Sequence, residues 1–348
     1  MTALEELFGI QLPIIQAPMA GVQDSALAIA VSNAGGLGSL PCAMLNSEQM
    51  RVEIAAIQAG TSAPFNVNFF CHTPPSPDPQ REKRWCEALQ PYYREFGINP
   101  DATSAAVQRS PFTSETADIL EELRPPVVSF HFGLPPPELL ARLRSWGAKI
   151  VSTATTVDEA LWLEVRGVDA IIAQGLEAGG HRGHFLSDDL TLQPGLFALL
   201  PQIVRAVKVP VIAAGGIADA RTVAGARALG AAGVQPGTAY LLCPETKTSA
   251  VHRAALMSEA ARHTALTNVF SGRAARGIVN RLMRELGPLN PAAPEFPLAS
   301  AAISPLRAKA EQQHRGDFSP LWAGQNAASC CAIPAADLTR ELAEATVT

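Results

Sequence analysis

The amino-acid sequence predicts an α/β fold, a closed (β/α)8 TIM barrel with a smaller helical subdomain inserted over the barrel mouth. Three observations predict it. Short apolar runs alternate with alanine-rich helical patterns, the signature of a parallel sheet. Eight such units fit in about 240 residues, the span of a closed barrel. Finally, Gln16, Asn68, His131, Thr153, Gln174 and Gln235 all close apolar runs, at the end of the strands where such a barrel carries its reactive groups.

The runs follow in order. Pro13–Ala17 precedes a helical pattern at Ser25–Asn33, and Gly38–Leu40 precedes one at Ser47–Ala59. Phe65–Phe70 opens into a long insertion. Val127–His131 then pairs with a helix over Pro136–Trp146, Lys149–Thr153 with Val157–Val165, and Ala170–Gln174 with Gly195–Val207. Val211–Ala214 leads to Ala220–Leu229, and Gly233–Gln235 closes the series. Several helices start after Ser, Thr or Asp, as an N-cap requires.

Two stretches break this rhythm. Residues 71–115 begin with a proline-rich segment at 72–79 and continue through a predicted helix, Arg81–Phe96, bearing Trp85, Tyr92 and Tyr93. An insertion of this length after a strand reads as a lid. The second stretch, 244–305, carries helical patterns at Thr246–Arg262 and Arg273–Leu286 before a proline-rich passage from Pro288 to Pro297. The expected organisation is therefore a barrel over 1–243 with the lid-like 71–115, a small helical subdomain over 244–305, and a segment 306–348 returning to the barrel.

Composition narrows the function classes. At 47% hydrophobic and 17% charged residues, the chain of 348 residues reads as globular. A net charge of −5 offers no general attraction to nucleic acid or anionic lipid. No apolar run reaches about 18 residues, so no membrane span is expected. Six scattered cysteines lack metal-ligand spacing, and the N-terminal residues do not read as a signal peptide; both suit the cytoplasm. Neighbouring Cys330 and Cys331 are read as small packed residues of the tail, with a redox pair as the alternative.

The segment from Ala173 to Gly183 combines a glycine turn with Gln174, Glu177, His181 and Arg182 directly after a strand. Two later turns repeat the theme: Gly215 and Gly216 follow one apolar run, and Gly237 and Thr238 follow the next. Paired turns after strands seven and eight of a barrel form a phosphate cradle, because bare backbone N–H groups at helix starts favour anions. Near the N-terminus, Ala17, Pro18 and Met19 offer a small, apolar surface to a flat ring, with Asn68 and Gln174 as amide partners for its edge. A flat ring plus a phosphate suggests FMN.

The series Gln16-Ala-Pro-Met19, Gly35-Gly-Leu-Gly38, Asn66-Val-Asn68, Ser129-Phe-His-Phe-Gly133, Glu177-Ala-Gly-Gly-His-Arg-Gly183, Ala214-Gly-Gly-Ile217 and Gln235-Pro-Gly-Thr238 resembles the nitronate monooxygenase family over roughly residues 10–242. The tail motif Leu321-Trp-Ala-Gly-Gln325 is also similar. The resemblance implies FMN-dependent oxidation of alkyl nitronates, or nitroalkanes, by O2 to a carbonyl compound and nitrite; a monomer or homodimer is expected. It puts the flavin ring against Ala17, Pro18 and Met19 and near Asn68 and Gln174, and the phosphate near Gly179, Gly180, Gly215, Gly216, Gly237 and Thr238, with Gln235 beside them.

His131 matches the family's catalytic histidine. Two chemistries suit it: taking a carbon-bound proton from a nitroalkane, or donating a hydrogen bond to the nitro oxygens. A core histidine bonded to backbone is the alternative. His181 is expected to contact substrate or to brace the loop, and His184 to be exposed. The sequence departs from the family where tyrosines and a lysine are expected: Phe296, Ser300 and Ser304 precede Leu306 and Arg307. Phe296 and Ser300 are the substrate-side candidates there, and Lys309 is expected on a solvated face. Two other readings stay open, an FMN-dependent enoyl-acyl-carrier-protein reductase using NAD(P)H and a non-catalytic FMN-binding component of an assembly.

Overall fold

The computed structural model describes residues 2–99 and 109–344. Seven parallel strands curl in the order β1 (Gly38–Pro41), β2 (Phe65–Phe70), β3 (Val127–His131), β4 (Lys149–Ala154), β5 (Ala170–Gln174), β7 (Val211–Ala214) and β8 (Gly233–Val234). Nearly every residue in them is buried, as expected of strands covered on both faces. The short β6 (Gly180–His181) belongs to a different sheet.

The eighth stave is the segment around Ile14 and Ile15, which bridges Val234 on one side and Leu37 on the other, so the barrel closes. It is an interrupted strand. The Ile15 N–H donates to the Val234 carbonyl and the Gln16 N–H to the Leu37 carbonyl, alternating between neighbours. Pro13 and Pro18 flank it and lack an N–H, which limits its regular pairing.

Side-chain caps place the helices on the outside. Asp24 caps Ser25–Asn33, Thr156 caps Val157–Val165, and Asn46 forms a reciprocal capping box with Gln49 at the start of Ser47–Gly60. Asp219 and Thr222 make the same box for Ala220–Ala228. Tight contact between helix and sheet selects glycine at Gly38, where a Cβ would stand 2.0 Å from the Ala28 carbonyl oxygen.

A second core lies apart from the barrel. Helix Pro79–Glu95, two residues earlier than expected at its start, contributes Trp85, Leu89, Tyr92 and Tyr93 to it. They pack with Phe270, Phe318 and Leu306. Trp85 Nε1 donates to the Ala299 carbonyl (3.3 Å) and Tyr93 Oη to the Ala302 carbonyl (2.6 Å), so the first half of the insertion is pinned. Residues 100–108 of that insertion lie outside the described residues.

The segment expected to be purely helical is not. Ala250–Leu256 and Arg281–Leu286 are helices, but β9 (Thr264–Thr267) and β10 (Ala275–Ile278) lie between them as antiparallel strands. The helix expected from Arg273 starts only after Asn280, whose side chain accepts from the Met283 N–H. Gly277 lies so close to the Leu321 carbonyl that a Cβ there would be 2.9 Å from it, a contact suited to a strand edge. β10 also pairs antiparallel with β6, so Ala275 opposes His181 and Arg276 opposes Gly180. The loop after β5 is thereby stitched to the second core.

Helix Ser300–Gln312 runs through Pro305, so the expected boundary at 305/306 falls inside it. The tail beyond divides. Phe318 joins the second core, while Leu338 and Leu342 of helix Ala335–Ala343 join the barrel core. Among the described residues, no helix is long and apolar enough to cross a membrane.

Replacing Gly38 by alanine puts a methyl group into the Ala28 backbone, which neither element can yield cheaply. A loss of about 3 kcal/mol or more is expected, read as a lowered urea midpoint; an unchanged midpoint would contradict the close packing of this strand and helix.

Candidate active site

One cleft opens across the C-terminal ends of the barrel strands. Ala17, Pro18, Met19 and Asn68 line one side, and Gln174, Gly179, Gly180 and His181 the loop side. Gly215, Gly216, Gln235, Gly237 and Thr238 line it after β7 and β8, and His131 lines it from the end of β3. The structure therefore gathers strand ends that are far apart in the chain.

Two turns suit an anion. Among the described residues, nothing accepts from the backbone N–H groups of Gly216, Ile217, Gly237 or Thr238. The C-terminal tail clamps both turns from above. Gly324 N–H donates to Thr238 Oγ1 (2.9 Å), and Asn326 Nδ2 donates to the Gly216 carbonyl (3.1 Å). Gly216, at φ 72°, and Gly180, at φ 72°, take left-handed backbone that a side chain would strain. At Gly180 the place of a Cβ is empty space within 4 Å. A Cβ on Gly237 would lie 3.2 Å from that of Ala17, so backbone and an apolar strand end face each other closely. The arrangement suits an anion beside a flat apolar wall.

The histidine end of the cleft is tightly wired. His131 Nε2 donates to the His181 carbonyl (3.1 Å), and because a carbonyl only accepts, this nitrogen carries the proton. Nδ1 then accepts from the Thr153 hydroxyl (3.1 Å). Gln174 Nε2 donates to the same His181 carbonyl (3.0 Å), and Gln174 Oε1 accepts the Gly183 N–H (2.9 Å). A Cβ on Gly183 would lie 2.7 Å from the His131 ring, so glycine is required for this approach. Burial, reinforced by Arg273 and Arg182, lowers the His131 pKa to about 3. The ring is neutral at physiological pH.

His181 is held neutral in the same way, by burial and by Arg109, and its Nε2 lies 2.8 Å from Ser271 Oγ. Phe70, Phe132, Phe296 and Trp322 surround its ring. Asn68 donates Nδ2 to the Ser129 hydroxyl (2.9 Å) and carbonyl (3.2 Å), which fixes the amide at the cleft edge.

Other candidates fall elsewhere. Arg182 is fully buried and donates to Gln193 Oε1 and to the carbonyls of Gly175 and Gln174, so it braces the loop. Glu177 accepts the Leu196 N–H at a helix start. His184 is 4% exposed, contrary to expectation: Arg273 donates to its carbonyl, Nε2 lies 3.4 Å from Asp188, and burial lowers its pKa to about 4. Neither Phe296 nor Ser300 forms part of the cleft wall. Phe296 backs it, with its ring 5.2 Å from that of His181, and Ser300 Oγ donates to the Pro297 carbonyl (2.8 Å). Cys330 Sγ donates to the Thr238 carbonyl (3.1 Å), whereas Cys331 is exposed.

Among the polar lining residues, sequence reading missed Arg109, His252 and Asn326. Asn326 directly follows the recognised tail motif, a signal that was available. Arg109 sits in aperiodic chain and His252 on a short helix, and neither position is marked by pattern.

The model of the family described as nitronate monooxygenase matches residues 1–345. A nitronate monooxygenase of Pseudomonas aeruginosa is 44% identical over 97% of both chains. One from Paraburkholderia phytofirmans is 43% identical over 98% of this chain and 93% of its own. Among solved structures, nitroalkane oxidase from Streptomyces ansochromogenes superposes with a TM-score of 0.88 at 39% identity, covering 99% of each chain. FabK from Thermotoga maritima superposes at 0.74 with 28% identity, covering 99% of this chain and 96% of its own. The chain belongs to the nitronate monooxygenase family.

Proposed function

We propose that the protein, as a monomer or homodimer in the cytoplasm, binds FMN in this cleft and uses O2 to oxidise alkyl nitronates to a carbonyl compound and nitrite. Family membership supports the reaction class, since the relatives at 44% and 43% identity are named for it. The carrying observation is the make-up of the cleft: a phosphate cradle with free backbone N–H groups at one end, and a wall without a carboxylate or ionised histidine at the other.

The residues present fit FMN. Gly216, Gly237 and Thr238 offer N–H groups to its phosphate, while Ala17, Pro18 and Met19 offer an apolar surface to its ring. A bound flavin supplies the electron acceptor. The chain's own side chains do the rest. His131 is a candidate catalytic residue as a hydrogen-bond donor: with Nε2 protonated and Nδ1 accepting from Thr153, it can turn its N–H from the His181 carbonyl to a substrate oxygen. A base is not needed for a nitronate, whose carbon has already lost its proton. Phe70, Phe132 and Trp322 exclude water from the histidine end, strengthening such hydrogen bonds. The second core, with helix Pro79–Glu95 and the β6–β10 pairing, acts as the fixed cover of this end.

A second reading, an NAD(P)H-dependent flavin reductase, draws support from the superposition on FabK at 28% identity. Rapid anaerobic bleaching of the flavin by NADH or NADPH would favour it.

Heat release from purified protein should give one FMN per chain, and propane-2-nitronate should yield nitrite with oxygen uptake. Neutral 2-nitropropane should react at least about 100-fold less well in kcat/KM, since proton removal by a positioned base accounts for factors of that order. Because His131 keeps its proton-free Nδ1 down to about pH 3, the nitronate profile should show no limb from it between roughly pH 5 and 8. A rise with pH through about 6.5, the ordinary histidine value, would make His131 a base and overturn the donor role. His131→Ala should keep the flavin spectrum and lose about 100-fold in kcat/KM, the usual scale for a donor to a developing or bound oxyanion.

A further inference from the structure

Among the described residues lining the cleft, Arg109 is the one with a fixed charge, and none is Asp or Glu. Its Nη1 is buried without a hydrogen-bond partner among the described residues. Burial pushes its pKa down, and among the described residues the charge acting on it is a second cation, Arg307. The guanidinium carbon lies 5.7 Å from the centroid of the Phe296 ring. Burial first, and then the charge of Arg109, hold the pKa of His181 well below its ordinary value.

A buried guanidinium without an anion is costly, and chains retain one where a ligand supplies the missing charge. Two anions are available in the proposed reaction, the cofactor phosphate and the substrate. The phosphate cradle is built from Gly216, Gly237 and Thr238 under Gly324 and Asn326. Arg109 stands instead with Phe296, His72 and His181, at the histidine end. A nitronate spreads its charge over two oxygens on one nitrogen, a planar pair that matches the parallel N–H groups of a guanidinium.

We infer that Arg109 binds the two oxygens of the nitronate and sets the preference for this anion over its neutral nitroalkane. This rests on the proposed reaction. It also supplies a cation where the segment before Leu306 lacks the expected lysine: the positive charge comes from the end of the 71–115 insertion instead. Neutral His131 and His181 fit beside it, because protonated rings would compete for the same anion.

The test uses flavin-loaded Arg109→Gln and Arg109→Lys. Arg109→Gln should retain wild-type flavin content and raise KM for propane-2-nitronate about 100-fold, with kcat changed about threefold or less. Removing one charged hydrogen-bond partner of a bound anion supports that scale. Arg109→Lys, which keeps the charge without the fork, should recover about tenfold of the loss. Nitrate, a planar and unreactive anion, should perturb the wild-type visible flavin band and fail to do so in Arg109→Gln. Loss of flavin from folded Arg109→Gln would assign the cation to the phosphate and overturn the inference, as would unchanged KM with an unchanged nitrate response. If Arg109→Gln does not fold, Arg109→Lys decides: wild-type KM and nitrate affinity in it would reject the paired recognition of two oxygens. Wild-type protein inert toward nitronates would instead sink the proposed reaction, while the nitrate titration would still report whether Arg109 holds an anion.

Discussion

The carbonyl oxygen of His181 organises this protein. It accepts Nε2–H from His131 and Nε2–H from Gln174, two side chains at the ends of different barrel strands. Gln174 returns a hydrogen bond through Gly183, and buried Arg182 ties the same loop back to Gln174 and Gly175. The loop after β5 is thus fixed at its backbone, and its outer edge pairs with β10. Without that anchor the second core would have no strand to join, and the histidine end of the cleft would lose its floor.

The same contact decides the chemistry available to His131. A ring that gives its only proton to a carbonyl, and receives one from Thr153, has no lone pair free for a substrate proton. Burial and two nearby arginines keep a second proton off. The cleft therefore offers donors and a cation, which suits a substrate that arrives already ionised. The glycine turns at the opposite end offer donors too, but from backbone, where a phosphate needs several at once. On the proposed reading, one cleft holds two anions because their partners are built from different parts of the chain.

Much of this was legible in the sequence, for physical reasons that differ between elements. Runs such as Val211–Ala214 and Ala170–Ala173 are buried on both faces and so are continuously apolar, and Asn46, Thr156 and Asp219 announce their helices by capping chemistry. The glycines of the turns were readable because backbone must approach a ligand there. The stretch from Arg273 to Leu286 misled because Ala275–Ile278 is short, contains glycine, and becomes a strand only by pairing with two partners distant in sequence. Tertiary context overrides local propensity at such places. His184 looked exposed in a polar loop, yet Arg273, nearly ninety positions later, encloses it. Arg109 had no signal at all: what marks it is a buried Nη1 without a hydrogen-bond partner among the described residues, which no spacing can reveal.

The central claim is that His131 is a neutral donor whose proton sits on Nε2. Nitrogen-15 NMR of histidine-labelled, flavin-loaded protein measures this directly, with the resonance assigned by its loss in His131→Asn. The account predicts a neutral ring, protonated at Nε2, that does not titrate between pH 8 and 5. A ring that titrates near its ordinary value of about 6.5, or one protonated at Nδ1, would contradict it.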